Sequence, residues 1–331
     1  MHEGLLGTVS RLRWTLLALG ALLLLNALIT PGFFGVGVRE GRLYGVPIDI
    51  LSHSARVGII ALAMTLVIAT GGIDLSVGAV VAVSGALGAW LVTDAGAPWP
   101  AAMLAALAAG LALGAWNGAL VTLLGLQPIV ATLVLMVAGR GIAQLITGGT
   151  IMTFRSPAFE FLADGAPLAI PMPIWLFAFA ATAIGLGVRR TSLGLFVECV
   201  GENSEAARLC GVPSSVVRLG VYSLCGLCAA LAGLIECAYI DAADANNAGL
   251  GFELDAILAV VIGGTALSGG RFLLSGTVLG AILIQTITKT MYMLDVPAEI
   301  APAPKALIVL AVCVAQSPSL RARLSQWRAR P

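Results

Sequence analysis

The chain has 331 residues, of which 59% are hydrophobic and only 11% are charged, and its mean hydropathy is +1.00. Soluble domains carry about 25% charged residues, so a water-soluble enzyme, a nucleic-acid-binding protein and a disordered chain are excluded. The net charge of +1 indicates no particular class of partner. At roughly 20 residues per membrane-spanning helix, the length allows about eight to eleven helices with short loops.

Ten apolar segments follow one another along the sequence. The first comes after Arg11 and Arg13, and no small-residue cleavage site follows it, so we expect a membrane helix instead of a cleaved signal sequence. The spans at 47–70 and 255–268 are short in their strongly apolar parts, and a full, broken or re-entrant helix stays open for both. The predicted spans cover residues 14–30, 47–70, 75–92, 99–124, 127–147, 171–188, 216–239, 255–268, 272–291 and 302–315.

Arginine residues are concentrated at every second connection between these spans. Because loops rich in Lys and Arg stay in the cytoplasm, both termini and the long loop at about 189–215 are predicted to be cytoplasmic. The loops at about 148–170 and 241–254 are then periplasmic. The sequence therefore predicts an all-α polytopic membrane protein, one domain over residues 1–331 with about ten transmembrane helices. The arginines on the cytoplasmic side are Arg11, Arg13, Arg189, Arg190, Arg208, Arg218, Arg271, Arg321, Arg323, Arg328 and Arg330.

Small residues at a spacing of four occur in two spans. Gly110, Gly114 and Gly118 lie on one face of the fourth span, and Gly276 and Gly280 do the same in the ninth. This spacing predicts helices whose backbones approach closely, and it indicates nothing about the substrate.

Cysteine and histidine patterns give little support to metal or redox chemistry. Cys225 and Cys228 have CxxC spacing but lie inside a predicted span, so packing is favoured over a redox or metal role. The two histidines of the chain, His2 and His53, make a zinc site improbable.

The long cytoplasmic loop contains the pattern Glu205-Ala206-Ala207-x-x-x-Gly211. One of the three polar residues at 202–204 can cap a short helix, and Gly211 can provide a left-handed exit from it. The two alanines give a thin face that can enter a groove on a partner. An ordinary amphipathic loop helix remains the alternative.

This spacing resembles the coupling-loop motif of ATP-binding-cassette importer permeases. The segment at 65–78, which contains Gly71-Gly-Ile-Asp74, resembles the signature of sugar permeases of the ribose type. The segment at 254–265 and the following Gly269-Gly-Arg271 are similar to the second conserved block of that family. The resemblance covers about residues 14–316.

Within that family, four further segments resemble the permeases of galactofuranose importers. They are Glu40-Gly-Arg42-Leu43, Pro47-Ile-Asp-Ile-Leu51, the segment at 135–141 and the segment at 243–250. The transported sugar can differ between close relatives, so a related monosaccharide also stays open.

The resemblance implies a permease of the bacterial inner membrane that works by alternating access. It implies three protein partners: a cytoplasmic ATPase with two nucleotide-binding domains, a periplasmic sugar-binding protein, and a second copy of the chain or a sister permease. The sequence contains no G-x4-G-K-[ST] pattern, so ATP and Mg are expected in the partner ATPase and no cofactor is expected in this chain. The chain itself is not expected to be an enzyme.

A sugar pathway needs hydrogen-bonding side chains and aromatic faces. For each candidate a packing role is an alternative, and for Asp74 a helix cap was favoured over a gate. Glu236 and Lys289 lie near outer span ends, where extension toward the interface was the expectation. The candidates for the pathway or its gate are Asp74, Trp116, Asn117, Gln127, Arg140, Gln144, Asn246 and Asn247.

A different class of transporter is the main alternative. An ion-coupled secondary transporter would use Asp74 or Glu236 as a proton or sodium site, and its transport would survive ATP depletion. It leaves the long cytoplasmic loop without a role. An intramembrane enzyme is disfavoured because the spans carry no Ser/His or paired-Asp arrangement.

Overall fold

The structure, a computed structural model, describes residues 5–39, 41–297, 300 and 302–316. Within these residues the chain is almost entirely helical, with two short antiparallel strand pairs, β1–β2 and β3–β4. The helices are α1 Leu5–Ile29, α2 Val46–Ala69, α3 Val77–Thr93, α4 Trp99–Thr122, α5 Pro128–Ile146, α6 Pro157–Asp164, α7 Met172–Arg190, α8 Leu193–Glu202, α9 Ser204–Leu209, α10 Ser214–Ile240, α11 Phe252–Ile262, α12 Leu274–Met293 and α13 Pro302–Gln316. The strands are β1 Gly37–Arg39, β2 Arg42–Tyr44, β3 Met152–Thr153 and β4 Ala242–Ala243.

Each of the ten predicted apolar segments coincides with a helix, namely α1–α5, α7 and α10–α13. Among the described residues, six of these helices are long and apolar enough to cross a membrane: α1, α2, α4, α5, α7 and α10. The helix α3 has 17 residues, and α12 has 20 residues but carries Gln285, Lys289 and several threonines. Glu40 and the basic residues Arg321, Arg323, Arg328 and Arg330 lie outside the described residues.

Two segments predicted as loops contain helices. The segment at 148–170 contains α6, and the segment at 189–215 contains both α8 and α9. The helix α8 forms because its apolar residues repeat on one face, where Val197 and Val200 are buried against the bundle. These helices have only 8, 10 and 6 residues, too few to be recognised as membrane spans from hydropathy.

The two spans whose form was left open differ from each other. The helix α2 is continuous over 24 residues, and 17 of them are buried between α7, α10, α11 and α12. A helix that is apolar on every face is typically buried on every face, which accounts for the run at 57–69, where Thr65 is the one polar residue. The helix α11 has 11 residues and is about 16 Å long, too short to cross a 30 Å hydrocarbon core by itself.

Glycine allows α4 and α10 to approach at backbone distance. A Cβ atom at Gly114 would lie 2.3 Å from the carbonyl oxygen of Tyr222, and a Cβ atom at Gly226 would lie 2.1 Å from that of Gly110. The close packing predicted from the glycine spacing is therefore confirmed. Cys225 and Cys228 are buried in the core beside this contact, in agreement with the packing interpretation.

The second glycine pair packs α12 against α11 in the same way. A Cβ atom at Gly276 would lie 1.9 Å from the carbonyl oxygen of Gly263, and one at Gly280 would lie 2.1 Å from that of Ala259. The short helix α11 is thus fixed to the bundle through its backbone as well as its side chains.

The contact between α4 and α10 predicts opposite effects for two glycines of the same helix. Gly226→Ala forces a methyl group into the backbone of α4, and overpacking of this kind costs about 1–3 kcal/mol. Gly220→Ala is the control, because a Cβ atom there meets no atom within 4 Å and alanine is favoured in a helix by about 1 kcal/mol. Thermal unfolding in detergent should show a lower midpoint for Gly226→Ala and an equal or higher one for Gly220→Ala. Equal midpoints for both variants would contradict the close approach.

Candidate functional site

The predicted site residues lie at two ends of the helix bundle. At one end, the amide of Gly270 donates to the carbonyl oxygen of Ala69 (2.8 Å) beside Gly201 and α9. At the other end, β3 pairs with β4, with Met152 opposite Ala243. We call the first the coupling end, after the predicted coupling motif, and the second the loop end.

The helix α9 has the local structure that the motif predicts. The side chain of Asn203 accepts hydrogen bonds from the amides of Glu205 (3.1 Å) and Ala206 (3.0 Å), so Asn203 is the cap among the polar residues considered. Gly211 adopts a left-handed conformation with φ of +84°, and the amide of Val212 donates to the carbonyl oxygen of Ala207 (3.0 Å). Both ends of the helix are thus determined locally.

The exposed face of α9 differs in part from the prediction. Ala206 is exposed, but Ala207 is buried against the bundle, so the expected face of two alanines is wrong for Ala207. Leu209, which the sequence analysis missed, is 82% exposed. It could have been identified as a contact residue because it is a single large apolar residue in a polar part of the loop. The exposed ion pair between Glu205 and Arg208 (3.1 Å) lies on the same short helix. The available face therefore combines a small residue, an apolar residue and charge.

Backbone contacts join the segment before α9 to the bundle. A Cβ atom at Gly201 would lie 1.8 Å from the carbonyl oxygen of Ala69 and 2.5 Å from the amide nitrogen of Gly270. One at Gly269 would lie 3.0 Å from the carbonyl oxygen of Gly201 and 3.1 Å from the amide nitrogen of Gly71. The end of α8, the end of α2 and the segment that leads to α12 thus meet without intervening side chains. We call this contact the glycine joint.

Asp74 lies in the connection between α2 and α3. The sequence favoured Asp74 as the N-cap of the following helix, and this prediction is wrong. The N-cap of α3 is Ser76, and Asp74 Oδ1 accepts hydrogen bonds from the Ser76 amide (2.9 Å) and hydroxyl (2.7 Å). Asn117 donates to Ser76 Oγ (2.8 Å) and, more weakly, to Asp74 Oδ1 (3.4 Å). Asp74 therefore forms a local turn, and the structure brings it together with Asn117, another predicted site residue.

Two predicted site residues lie apart from this cluster. Trp116 is next to Asn117 in sequence but lies on a different face of α4, because Trp116 is 57% exposed whereas Asn117 is buried. Gln127 precedes α5, makes no side-chain cap and lines a cavity of about 320 Å³ together with Gly71, Arg218 and Tyr222. Trp116 thus offers no ring to the polar residues of the bundle, whereas Gln127 lies at the coupling end.

The loop end brings the other four predicted site residues together. Arg140 Nη1 donates to the carbonyl oxygens of Ala245 (3.0 Å) and Ala248 (2.7 Å). One turn further along α5, Gln144 Nε2 donates to Asn246 Oδ1 (2.8 Å). The prediction that Arg140 and Gln144 share a helix face is confirmed, and both hold the segment between α10 and α11.

Asp244 organises that segment internally. Its carboxylate accepts from the amides of Asn246 (3.0 Å) and Asn247 (3.1 Å) and from the Asn247 side chain (2.7 Å). Partial burial acts to raise the pKa of the Asp244 carboxyl, but these hydrogen bonds and the charge of Arg140 outweigh it, so its pKa lies below the ordinary value. The segment at 244–248 is therefore a structured turn attached to α5.

A group of paired charges near the loop end was missed by the sequence analysis. Arg56 forms an ion pair with Glu236, and Lys305 forms one with Asp255 (2.9 Å). All four side chains are mostly buried, between 15% and 21% exposed. Glu236 thus pairs across the bundle instead of extending to the interface, and this correction follows from the position of Arg56 on the buried helix α2. The sequence did contain an indication of these pairs, namely residues of opposite charge within otherwise apolar segments.

Lys289 is the third paired cation at this end. It approaches Asp49 of α2 at 3.2 Å, and the two side chains are 30% and 48% exposed. Lys289 therefore reaches partly out of the bundle. Both side chains were expected to extend toward the interface, and Lys289 is nearer to that expectation than Glu236. An ion pair this exposed contributes little to stability.

A protein-family model described as "branched-chain amino acid transport system / permease component" matches residues 46–315. The chain belongs to this permease family. It is therefore a permease component located in the inner membrane, and it is a translocation subunit and not an enzyme. No solved structure matches the chain.

Curated relatives resemble the chain over nearly all of its length. It is 49% identical over 312 residues to the galactofuranose transporter permease protein YtfT of Escherichia coli (strain K12), covering 93% of this chain and 91% of the relative. It is 41% identical to the fructose import permease protein FruF of Bifidobacterium longum (strain NCC 2705), covering 94% and 89%. It is 37% identical to the ribose import permease protein RbsC of Escherichia coli (strain K12), covering 89% and 90%. Both predicted resemblances, to ribose-type permeases and to galactofuranose permeases, are confirmed.

The Arg140 contacts predict a local effect in the segment that they hold. Arg140→Gln removes a charged donor from two carbonyl oxygens, and hydrogen bonds to charged groups contribute about 1.5–3 kcal/mol. Hydrogen–deuterium exchange over residues 244–251 should accelerate roughly tenfold to hundredfold. Arg155→Gln, at an exposed position of the same end, is the control and should leave that exchange unchanged. Unaltered exchange in Arg140→Gln would show that Arg140 does not hold the turn.

The Arg56–Glu236 ion pair predicts a rescue by a double substitution. Arg56→Met leaves the carboxylate of Glu236 unpaired inside the bundle, and breaking a buried pair in this way costs about 3–5 kcal/mol. Arg56→Met combined with Glu236→Leu removes both charges and should recover most of that loss. The measurement is the thermal midpoint in detergent for the two single variants and the double variant. Additive losses would mean that the pair is not coupled.

Proposed function

We propose that the chain is the permease of an ATP-driven importer for galactofuranose or a closely related monosaccharide. The observation that carries the transport mechanism is the capped helix α9, exposed at one end of the bundle and attached to it through the glycine joint. The sugar is inferred from the relatives, since the three named above are permeases for galactofuranose, fructose and ribose. The identity is highest, at 49%, for the galactofuranose permease among these three.

In this proposal the chain is one permease domain, residues 1–331, with ten membrane-spanning segments and both termini in the cytoplasm. The spans are α1–α5, α7, α10, α12 and α13, and the tenth crossing consists of the short helix α11 together with the residues that flank it. Contacts between loops support this arrangement. With ten crossings, certain loops lie on the same side of the membrane, and those loops contact one another. At the loop end Arg42 pairs with Asp164 (2.9 Å), and β3 pairs with β4, while at the coupling end the glycine joint unites three segments. The coupling end is then cytoplasmic and the loop end periplasmic.

Three protein partners follow from this proposal. A cytoplasmic ATPase with two nucleotide-binding domains binds the exposed face of α9, formed by Glu205, Ala206 and Leu209, and holds ATP and Mg. Gly211 sets the exit of that helix. A periplasmic sugar-binding protein delivers the sugar at the loop end. A second copy of the chain or a sister permease completes the translocation pathway.

The mechanism is alternating access without covalent chemistry in this chain. Closure of the ATPase displaces α9, and the glycine joint passes that displacement to the ends of α2 and α12. The turn with Asp74 directly follows α2, so this turn and its partner Asn117 form the inner gate. Asn117 Oδ1 is buried and has no hydrogen-bond partner among the described residues, which leaves an acceptor for a substrate hydroxyl. The segment held by Arg140 and Gln144 forms the outer gate.

An ion-coupled secondary transporter fits the structure less well. Its two candidate acids are both occupied, because Asp74 is held by Ser76 and Asn117, and Glu236 is paired with Arg56. It also gives no role to α9. The two mechanisms are separated by uptake into vesicles: the importer requires ATP and tolerates an uncoupler, whereas the secondary transporter behaves in the opposite way.

The left-handed conformation of Gly211 predicts how the partner ATPase is held. Gly211→Val places a β-branched residue at a φ of +84°, which costs about 1–2 kcal/mol, whereas Gly211→Asn is tolerated in that region. A Cβ atom there meets no atom within 4 Å, so the strain is confined to the exit of α9. Pull-down of the ATPase and ATP-driven uptake should fall roughly five- to thirtyfold in Gly211→Val and remain close to normal in Gly211→Asn.

Insertion and folding should be unchanged in both Gly211 variants, as judged by a single sharp peak in size-exclusion chromatography. Normal ATPase binding and uptake in Gly211→Val would remove α9 as the docking element.

A further inference from the structure

A cavity of about 490 Å³ lies between α2, α10, α11, α12 and α13 near the loop end. Its volume is within the range of small-molecule sites, which is about 300–1,000 Å³. None of the eight pathway candidates from the sequence lines it. It is therefore a site that sequence reasoning did not find.

The ionic groups of this cavity balance in charge. Its lining includes the two mostly buried pairs described above, Arg56 with Glu236 and Lys305 with Asp255. Two cations and two anions give a net charge of zero, so the cavity favours neither an anion nor a cation. Each charged group still has hydrogen-bonding capacity beyond its ionic partner. The site therefore suits a neutral ligand rich in polar groups.

One donor in this lining is not satisfied by the protein. Arg56 Nε is buried and has no hydrogen-bond partner among the described residues. Leaving a buried donor unpaired is unfavourable, so a polar group from a ligand in the cavity would relieve that cost.

Neutral polar groups and aromatic rings complete the lining. Gln285 and Thr288 of α12 face the cavity and offer an amide and a hydroxyl. Phe252 and Tyr292 contribute rings, and the Phe252 ring lies 6.0 Å from the Arg56 guanidinium carbon. Hydroxyl groups require donors and acceptors, while the C–H face of a sugar packs on a ring. A monosaccharide combines these two requirements in one small, neutral molecule.

A second cavity lies beside the first. It has a volume of about 430 Å³ and is lined by Arg42, Tyr44 and Asp49, beside the β1–β2 pair. His53 lines both cavities, so they are adjacent. The second cavity thus adds further polar groups next to the first.

We propose that the cavity between α2, α10, α11, α12 and α13 is a monosaccharide-binding subsite, occupied after the sugar leaves the binding protein. This inference rests on the proposed function and specifies where that function holds its substrate within the chain. Gln285 and Thr288 contact sugar hydroxyls, and the two ion pairs supply the remaining donors and acceptors.

The chain offers a closely matched pair of threonines for the test. Thr288 Oγ1 donates to the carbonyl oxygen of Ile284 (3.0 Å), and Thr286 Oγ1 donates to that of Ile282 (2.7 Å), so both make the same helical hydrogen bond. Only Thr288 lines the cavity. Thr288→Val and Thr286→Val therefore lose the same local bond but differ in the loss of a group from the proposed subsite.

The experiment uses the complete importer in liposomes, with its ATPase inside and saturating binding protein outside. The probe is radiolabelled D-galactose, whose equilibrium mixture in water contains the furanose form. Sugar uptake and ATP hydrolysis are measured together for wild type, Thr288→Val, Gln285→Leu and Thr286→Val. We expect uptake per ATP to fall about tenfold in Thr288→Val and Gln285→Leu, the equivalent of roughly one hydrogen bond, and to be unchanged in Thr286→Val.

A direct measure of occupancy accompanies the uptake assay. Thr288→Cys is labelled from outside with a membrane-impermeant thiol reagent, with and without D-galactose and binding protein. The sugar should slow the labelling of Thr288→Cys severalfold, and the unsubstituted chain, treated in the same way, gives the background labelling. This readout remains informative if a valine or leucine variant folds poorly.

Failure of the subsite and failure of the proposed function give different results. If wild type takes up D-galactose with ATP while Thr288→Val and Gln285→Leu match Thr286→Val and the cysteine is not protected, the subsite is wrong and the importer stands. If wild type shows no ATP-dependent uptake of D-galactose or of other monosaccharides, the proposed function itself fails and the subsite fails with it.

Discussion

The burial of α2 over residues 57–69 is the constraint on which the rest of the bundle depends. Every residue of this stretch is buried, all but Thr65 are apolar, and α7, α10, α11 and α12 pack around the helix. A helix enclosed in this way cannot move without moving its neighbours, because packed interiors have low compressibility. The same enclosure explains the ionic pairs near the loop end. Arg56 enters the bundle on α2, and a charge at that depth requires a partner, which Glu236 supplies.

Local features of the site could be predicted from the sequence, but which of its residues are exposed and which are buried could not. The cap and the left-handed exit of α9 depend on residues within the loop itself, so a cap among residues 202–204 and an exit at Gly211 were recognisable in advance, and the structure selects Asn203 as the cap. Whether Ala206 or Ala207 is exposed depends on how a six-residue helix packs, which no periodicity in so short a segment determines. The helix α8 was predicted as part of a loop for a different reason, because its ten residues are too few to be recognised as a membrane span.

The ten helices that coincide with the predicted spans were predictable because each contains an apolar run, whereas the missed ion pairs depend on contacts distant in sequence. Arg56 and Glu236 are 180 positions apart, and Asp255 and Lys305 are 50 apart. Pairing over such distances depends on the rotation of each helix about its axis. Hydropathy reports the length of a helix and says nothing about that rotation, so Glu236 was assigned to the interface. Helix spacing did predict that Arg140 and Gln144 share a face, because that relation lies within one helix.

The two ends of the bundle are held by different kinds of contact, and this difference suits a transporter driven from one end. At the glycine joint, Gly201, Ala69 and Gly270 meet through their backbones, with no side chain that can change rotamer and absorb a displacement. At the loop end, Arg140 and Gln144 hold the turn at 244–248 by side-chain hydrogen bonds, each worth about 0.5–3 kcal/mol. In the proposed mechanism, a displacement imposed on α9 is transmitted where the bundle is stiff and is taken up where its contacts can be exchanged for contacts with water or sugar.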